Sequence, residues 1–150
     1  DYSLIRNGKF KLNYTKFLLE SLIQESINLM KIQADFKEIS IKIMNKCPKN
    51  FLLFSDFTRI KQVIYNLIGN SIKFCRRGGQ IDLTFSLMPG ERNLLKILVT
   101  DNGVGIKPEI IPKLCEPFHT YDYAGNFNHH GVGLGLHICK TIVGHFGPYN

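Results

Sequence analysis

Three groups of residues have the types and spacing to do chemistry. Gln62, Asn66 and Asn70 follow one another at four-residue steps and Lys73 comes three later. On a helix, those amides and that amine would line a single stripe. Asparagine is a poor helix-interior residue, and each costs on the order of 0.5 kcal/mol of propensity. An amide oxygen suits a hard Mg²⁺ that keeps most of its waters, and a lysine can meet phosphate charge. A solvated or capping polar face is the plainer alternative. The second group is Asp101-Asn102-Gly103-Val104-Gly105-Ile106, which follows directly on an apolar run. A carboxylate held among apolar groups where a strand leaves its sheet can accept a hydrogen bond from a purine's exocyclic amine. The glycines let backbone pass close to a flat ring. Asn-Gly is equally a common turn signal. The third is Gly131-Val132-Gly133-Leu134-Gly135-Leu136, which opens an apolar helical pattern. Free N–H groups and the dipole at a helix start attract anions. The GxGxG spacing, preceded by a polar loop with His129 and His130, is not a dinucleotide fingerprint, and there is no GxxxxGK[ST] loop.

The elements that must position these groups are read from periodicity. Lys9 to Asn13 reads as a short edge strand after Gly8. Leu19, Leu22, Ile23, Ile27, Met30 and Ala34 form the stripe of an amphipathic helix over about residues 16 to 34. Ile39, Ile41 and Ile43 alternate with polar residues, and Phe51 to Phe54 form a short apolar run after Pro48, so the two read as a hairpin. Asp56 is placed to cap a helix running to about Phe74, with Phe57, Ile60, Val63, Ile64, Leu67 and Ile72 spaced for burial. Arg76-Arg77-Gly78-Gly79 stops it. Ile81 to Leu87 alternates strictly, residues 88–93 turn the chain, and Leu94 to Val99 returns as a more fully buried strand. A short helical piece near Glu109 to Leu114, a polar stretch from His119 to His130 and a last helix to about His145 complete the order. Helices and strands in this order predict an α+β domain, a mixed sheet covered by helices on one face.

Composition sets the bounds. The chain has 150 residues, 44% of them hydrophobic and 21% charged, enough for one globular domain with a packed core. A charge of +7, from 19 basic and 12 acidic residues, suits an anionic partner without choosing between phosphate compounds and nucleic acid. Cys47, Cys75, Cys115 and Cys139 contain no CxxC pair and read as reduced core cysteines of a cytosolic domain. No apolar run reaches the roughly 20 residues that span a bilayer, so any membrane anchor is expected outside this segment.

The groups also occur in one order, with an aromatic element between the last two. Asn66-Leu-Ile-Gly-Asn70-Ser-Ile-Lys73-Phe74, Asp101-Asn-Gly-Val-Gly-Ile106, Glu116-Pro-Phe118 and Gly131-Val-Gly-Leu-Gly-Leu136 resemble the N, G1, F and G2 boxes of sensor histidine kinases. The resemblance extends to Asp56-x-x-Arg59-x-x-Gln62 and Gly8-x-Phe10, and so covers nearly the whole chain.

The resemblance implies the Bergerat ATP-binding fold, a two-layer α/β sandwich, with ATP and Mg²⁺ as ligands. It implies that Asn70 ligates Mg²⁺, that Asn66 supports metal and phosphates, and that Lys73 meets phosphate. Phe74 would pack on adenine and Asp101 would bond its amino group, in a pocket shaped by Gly103, Gly105 and Ile106. Phe118 would anchor one end of an ATP lid over roughly residues 119 to 130. Gly131, Val132, Gly133, Gly135 and Leu136 would form the other end and the phosphate-binding helix start. Relatives that hydrolyse ATP carry a glutamate where Asn66 stands, so the expected reaction is transfer to a histidine rather than to water. That histidine would sit on a phosphoacceptor helix whose tail is residues 1–7, in a homodimeric parent that passes phosphate to a receiver-domain aspartate. No nucleic acid partner is expected, because Asn66 replaces the hydrolytic glutamate and Arg76 and Arg77 lie near the phosphate helix. Two departures stand out. Phe127-Asn128-His129-His130 replaces the family's usual basic residue before the glycines, and a further C-terminal strand pair is expected to be truncated after Gly147. The altered lid leaves a degenerate nucleotide- or partner-binding scaffold as the alternative function.

Overall fold

A computed structural model describes residues 2–90, 94–119 and 133–147. A short helix, α1 (Tyr2–Arg6), stands at the start of the chain, followed by β1 (Thr15–Leu18), α2 (Leu19–Phe36), β2 (Ser40–Asn45) and β3 (Leu52–Ser55). Then come α3 (Phe57–Phe74), β4 (Gln80–Met88), β5 (Leu94–Asp101), a single 3₁₀ turn at Ile111–Lys113, and α4 (Gly135–Phe146).

The core forms where the apolar stripes of α2 and α3 meet one face of the sheet. Leu19, Leu22, Ile23, Met30 and Ala34 of α2 and Ile64, Ile68 and Ile72 of α3 are buried with Ile81, Leu83 and Phe85 of β4. Each Leu, Ile, Met or Phe among them contributes about 1.5–3 kcal/mol on leaving water. The other face of β4 carries Asp82, Thr84 and Ser86, so the helices cover one face only, as the alternation predicts.

The strands pair differently from their order in sequence. Ile39 to Ile43 and Phe51 to Phe54 do not form a hairpin. β2 lies parallel to β4, with Ile41 opposite Ile81, and β3 lies antiparallel to β1, with Leu53 opposite Phe17. The result is a mixed sheet β2-β4-β5 beside a two-stranded sheet β1-β3. Parallel strands need a long crossover, and β3 with α3 supplies it. The expected strand at Lys9–Asn13 is absent. The Asn13 N–H is bound to the Asp56 carboxylate at 2.8 Å, and Phe10 is buried with the Arg59 guanidinium 5.0 Å from its ring and the His145 ring edge-on at 4.9 Å. The strand lies at Thr15–Leu18 and passes into α2 without a loop, which moves that helix start from residue 16 to 19. β5 is not the more buried strand: among the described residues it pairs with β4 alone, and only alternate side chains such as Leu95, Ile97 and Val99 pack inward.

The ends of α3 agree with the sequence reading. Asp56 caps it by accepting from the Arg59 N–H at 3.0 Å, and Gly78 turns the chain after it at φ +77°. The cysteines are free, with Cys75 and Cys139 buried and the other two half-buried. Among the described residues no helix is long and apolar enough to cross a membrane.

Asp56 thus holds both the first turn of α3 and the strand approach at Asn13. Asp56→Ala is expected to lower stability by about 2 kcal/mol, by losing a cap and stranding the Asn13 N–H. Urea unfolding followed by circular dichroism measures the loss, and a change under about 0.5 kcal/mol would contradict this role.

Candidate functional site

The polar stripe of α3 is real, and its Asn66 meets the start of α4. Burial of Ile64, Ile68 and Ile72 turns Gln62, Asn66 and Asn70 the other way, and both asparagines end half-buried. The Asn66 amide donates to the Gln62 carbonyl at 3.2 Å, and the Gln62 side-chain oxygen accepts from Arg59 at 3.0 Å. The Asn66 oxygen lies 3.2 Å from where a Cβ on Gly135 would stand, so the absence of a side chain there lets α4 begin close to it. Leu134, the residue before α4, supplies no side-chain cap. The first-turn N–H groups of α4 are suited to an anion on the same side as Asn66. Lys73 is exposed, with its ammonium 5.1 Å from the centre of the Phe74 ring.

At the other end of α3 the glycine loop is stitched to the helix terminus. The Asp101 carboxylate accepts from the Ser71 hydroxyl at 2.9 Å through one oxygen and from the Gly103 N–H at 2.9 Å through the other. It is therefore held by hydrogen bonds at the exposed end of β5, not among apolar groups as the sequence suggests. Gly103 admits no side chain: a Cβ would stand 2.8 Å from both the Phe74 carbonyl and the Asp101 carboxylate. The Val104 N–H donates to that same Phe74 carbonyl at 3.3 Å, and the Asn102 side chain accepts from the Gln80 N–H at 2.8 Å. Gly105 takes φ +73°, and Val104 and Ile106 offer exposed apolar surface beside the carboxylate. A fixed carboxylate beside apolar surface can bind a flat ring that carries an amino group.

The aromatic element meets the glycine run directly. The Phe118 N–H donates to the Gly133 carbonyl at 3.0 Å, and both residues have φ +66°. A Cβ on Gly133 would stand 2.7 Å from the Phe118 backbone, so only glycine fits. Leu136 is half-buried in the first turn of α4. Gly131, Val132, His129, His130 and the rest of the expected lid beyond His119 lie outside the described residues. An open groove of about 810 Å³ between α4 and Cys115–Pro117 includes neither Asn66, Asn70 nor Asp101.

A sequence profile of the histidine kinase-, DNA gyrase B- and HSP90-like ATPases matches residues 55–149. The nucleotide-free catalytic domain of the histidine kinase ThkA superposes with a TM-score of 0.73 at 30% identity, over 87% of this chain and 80% of that one. The chain belongs to the histidine kinase ATPase family. The family's mixed α/β fold is the one described above, and the resemblance to histidine kinase ATP-binding domains stands with it. The autoinducer 2 sensor kinase/phosphatase LuxQ of Vibrio vulnificus is 32% identical over 95% of this chain, which spans 17% of that protein. The histidine protein kinase DivJ of Caulobacter vibrioides is 32% identical over 95% of this chain, which spans 23% of it. Full-length ShkA in complex with AMPPNP gives a TM-score of 0.76 at 27% identity, over 94% of this chain and 28% of that one.

Within this ATPase domain the sequence reading missed Ser71. Its position was legible: it falls on the buried stripe between Ile68 and Ile72, where a hydroxyl needs a partner. What could not be read was that the partner is Asp101, thirty residues on. Among the described residues no group of three or more His, Cys, Asp or Glu could hold a metal ion. On the α3 stripe the groups that could meet a cation are the amide oxygens of Asn66 and Asn70.

Ser71→Ala is expected to weaken adenine nucleotide binding about tenfold by freeing one carboxylate oxygen of Asp101, a loss of about 1.4 kcal/mol, with little change in melting temperature. Calorimetric titration reads the change, and wild-type affinity would remove Ser71 from the site. Burial pushes the Cys139 thiol up to about 11, against an opposing hydrogen bond with Asn66. Burial, and then the Asp101 charge, also raise Cys75. Iodoacetamide at pH 8 is therefore expected to modify Cys115 well before Cys75 and Cys139, as peptide mass spectrometry would record.

Proposed function

We propose that this domain binds Mg-ATP and presents its γ-phosphate to a histidine on a separate phosphoacceptor helix of the parent kinase. The observation that carries the reading is the Asp101 carboxylate, oriented on both oxygens by Ser71 and Gly103 at the end of the helix that bears Asn66 and Asn70. One end of that helix offers recognition of an amino-bearing ring, and its polar stripe with the α4 start offers sites for phosphate.

In this reading Asp101 accepts from the adenine amino group, Phe74 packs on the ring, and Gly103, Gly105 and Ile106 shape the pocket. Asn70 is the Mg²⁺ ligand and Asn66 supports the metal and the phosphates. Lys73 and the N–H groups around Gly133, Gly135 and Leu136 take phosphate charge, with Gly131 and Val132 assigned there from the sequence motif. Phe118 anchors the lid segment. Bound Mg²⁺ supplies neutralisation of the phosphate oxygens.

Asn66 matters by what it cannot do. A neutral amide takes no proton from water, so the domain lacks at that position a base that would direct ATP to hydrolysis. The phosphoryl group is kept for an imported imidazole, which arrives as its own nucleophile. LuxQ and DivJ are named as kinases, and ThkA has been solved with the response regulator TrrA. By analogy the partners here are the phosphoacceptor helix of a dimeric parent and an aspartate-bearing receiver, in the cytoplasm.

Titration with a non-hydrolysable ATP analogue, with and without Mg²⁺, tests the reading. Asp101→Ala is expected to abolish saturable binding, and Asn70→Ala to remove the Mg²⁺ dependence while leaving weaker metal-independent binding. A folded wild-type domain that binds no analogue at millimolar concentration would sink the proposal in favour of a scaffold role.

A further inference from the structure

The last carbonyls of a helix lack partners within it, and here the residues that end α3 are Lys73 and Phe74. The Ser71 carbonyl is met by the Cys75 N–H at 2.8 Å. The next ones are met from outside, by the half-buried side chain of Lys37 at the end of α2. Its ammonium donates to the carbonyls of Ile72 at 2.7 Å, Lys73 at 3.1 Å and Cys75 at 3.3 Å, so all three of its donors are used. The carbonyl that Lys37 leaves aside, Phe74, is the one that accepts from the Val104 N–H and meets Gly103.

Lys37 is itself held in place. The Gly78 N–H donates to its carbonyl at 3.0 Å, and the neighbouring Glu38 carboxylate accepts from Arg77 at 2.6 Å. The turn after α2 is thus docked on the turn after α3, with a cation at the negative end of an 18-residue helix dipole.

We propose that Lys37 is a positioning residue for the base-binding half of the nucleotide site. By occupying the carbonyls on both sides of Phe74, it fixes the helix terminus in the one arrangement that leaves the Phe74 carbonyl facing Val104. The loop carrying Asp101 and Gly103 takes its register from that bond. The proposal rests on the nucleotide reading above for its functional consequence, but the coupling between Lys37 and the loop exists without ligand.

The test compares wild type with Lys37→Met, which keeps the aliphatic stem, and with Ile64→Val, a core variant that loses stability away from the loop. In nucleotide-free protein, amide hydrogen exchange at Gly103 and Val104 is expected to rise at least tenfold in Lys37→Met, with the amides of Ile64 and Ile68 unchanged. Affinity for the ATP analogue is expected to fall about tenfold, while affinity for inorganic triphosphate stays within twofold. Ile64→Val is expected to leave the loop amides and both affinities as in wild type. Wild-type protection at Val104 in Lys37→Met, or a uniform rise along α3 in both variants, would overturn the proposal. If Lys37→Met does not fold, Lys37→Gln takes its place, with the same expected rise at Val104 and the same contrary result. If no protein binds the analogue, the nucleotide reading fails, and the exchange data still decide whether Lys37 sets the loop.

Discussion

A helix that carries polar site residues on one side must bury the other, and α3 is where fold and site become the same problem. Ile64, Ile68 and Ile72 sink into the core against α2 and β4, which turns Gln62, Asn66 and Asn70 away from it and sets Asn66 against the start of α4. The side-chain period of 3.6 residues makes this obligatory, because burying one stripe sets the orientation of the opposite one. Everything else in the site is attached to α3. Asp56 holds its start, the Asp101 loop and Lys37 hold its end, and Gly135 brings α4 up to Asn66.

Several locally unfavourable choices are concentrated around that helix. Two asparagines inside it cost on the order of 0.5 kcal/mol each in propensity. Phe118 adopts a left-handed conformation that costs about 1–2 kcal/mol for a residue with a side chain. The core offsets these costs, and what they obtain is placement: an amide at the start of α4, and a backbone pinch where Phe118 meets Gly133. The hydroxyl of Ser71 follows the same logic, since it occupies a position on the buried stripe that an apolar residue would fill more simply.

Much of this was legible in particular residues. The cap at Asp56, the end of α3 before Gly78, the α2 stripe from Leu19 to Ala34 and the alternation along β4 all stand as read. The misreadings share a cause. Ile39 to Ile43 and Phe51 to Phe54 are adjacent strands with a turn between them, and nothing local distinguishes a hairpin from two strands that separate into different sheets. Lys9 to Asn13 alternates like a strand, yet its Asn13 N–H is bound to Asp56, forty-three residues away. β5 reads as buried because Leu94, Leu95, Ile97, Leu98 and Val99 are apolar, but burial depends on what lies beyond the strand.

The sequence by itself determined the long helices α2 and α3, the alternating strand β4, the cap at Asp56, and the four motifs that mark a histidine kinase ATPase domain. These are set by forces acting within a few residues: propensity, periodicity, capping and the freedom of glycine. Only the tertiary structure decided that β2 runs beside β4, that Ser71 meets Asp101, and that Lys37 closes the end of α3. Those partners are far apart in the chain, and a hydrogen-bond donor carries no local mark of which distant acceptor it will meet. The choice is made when the apolar stripes pack, because that packing brings the chain ends of separate elements within 3 Å of one another.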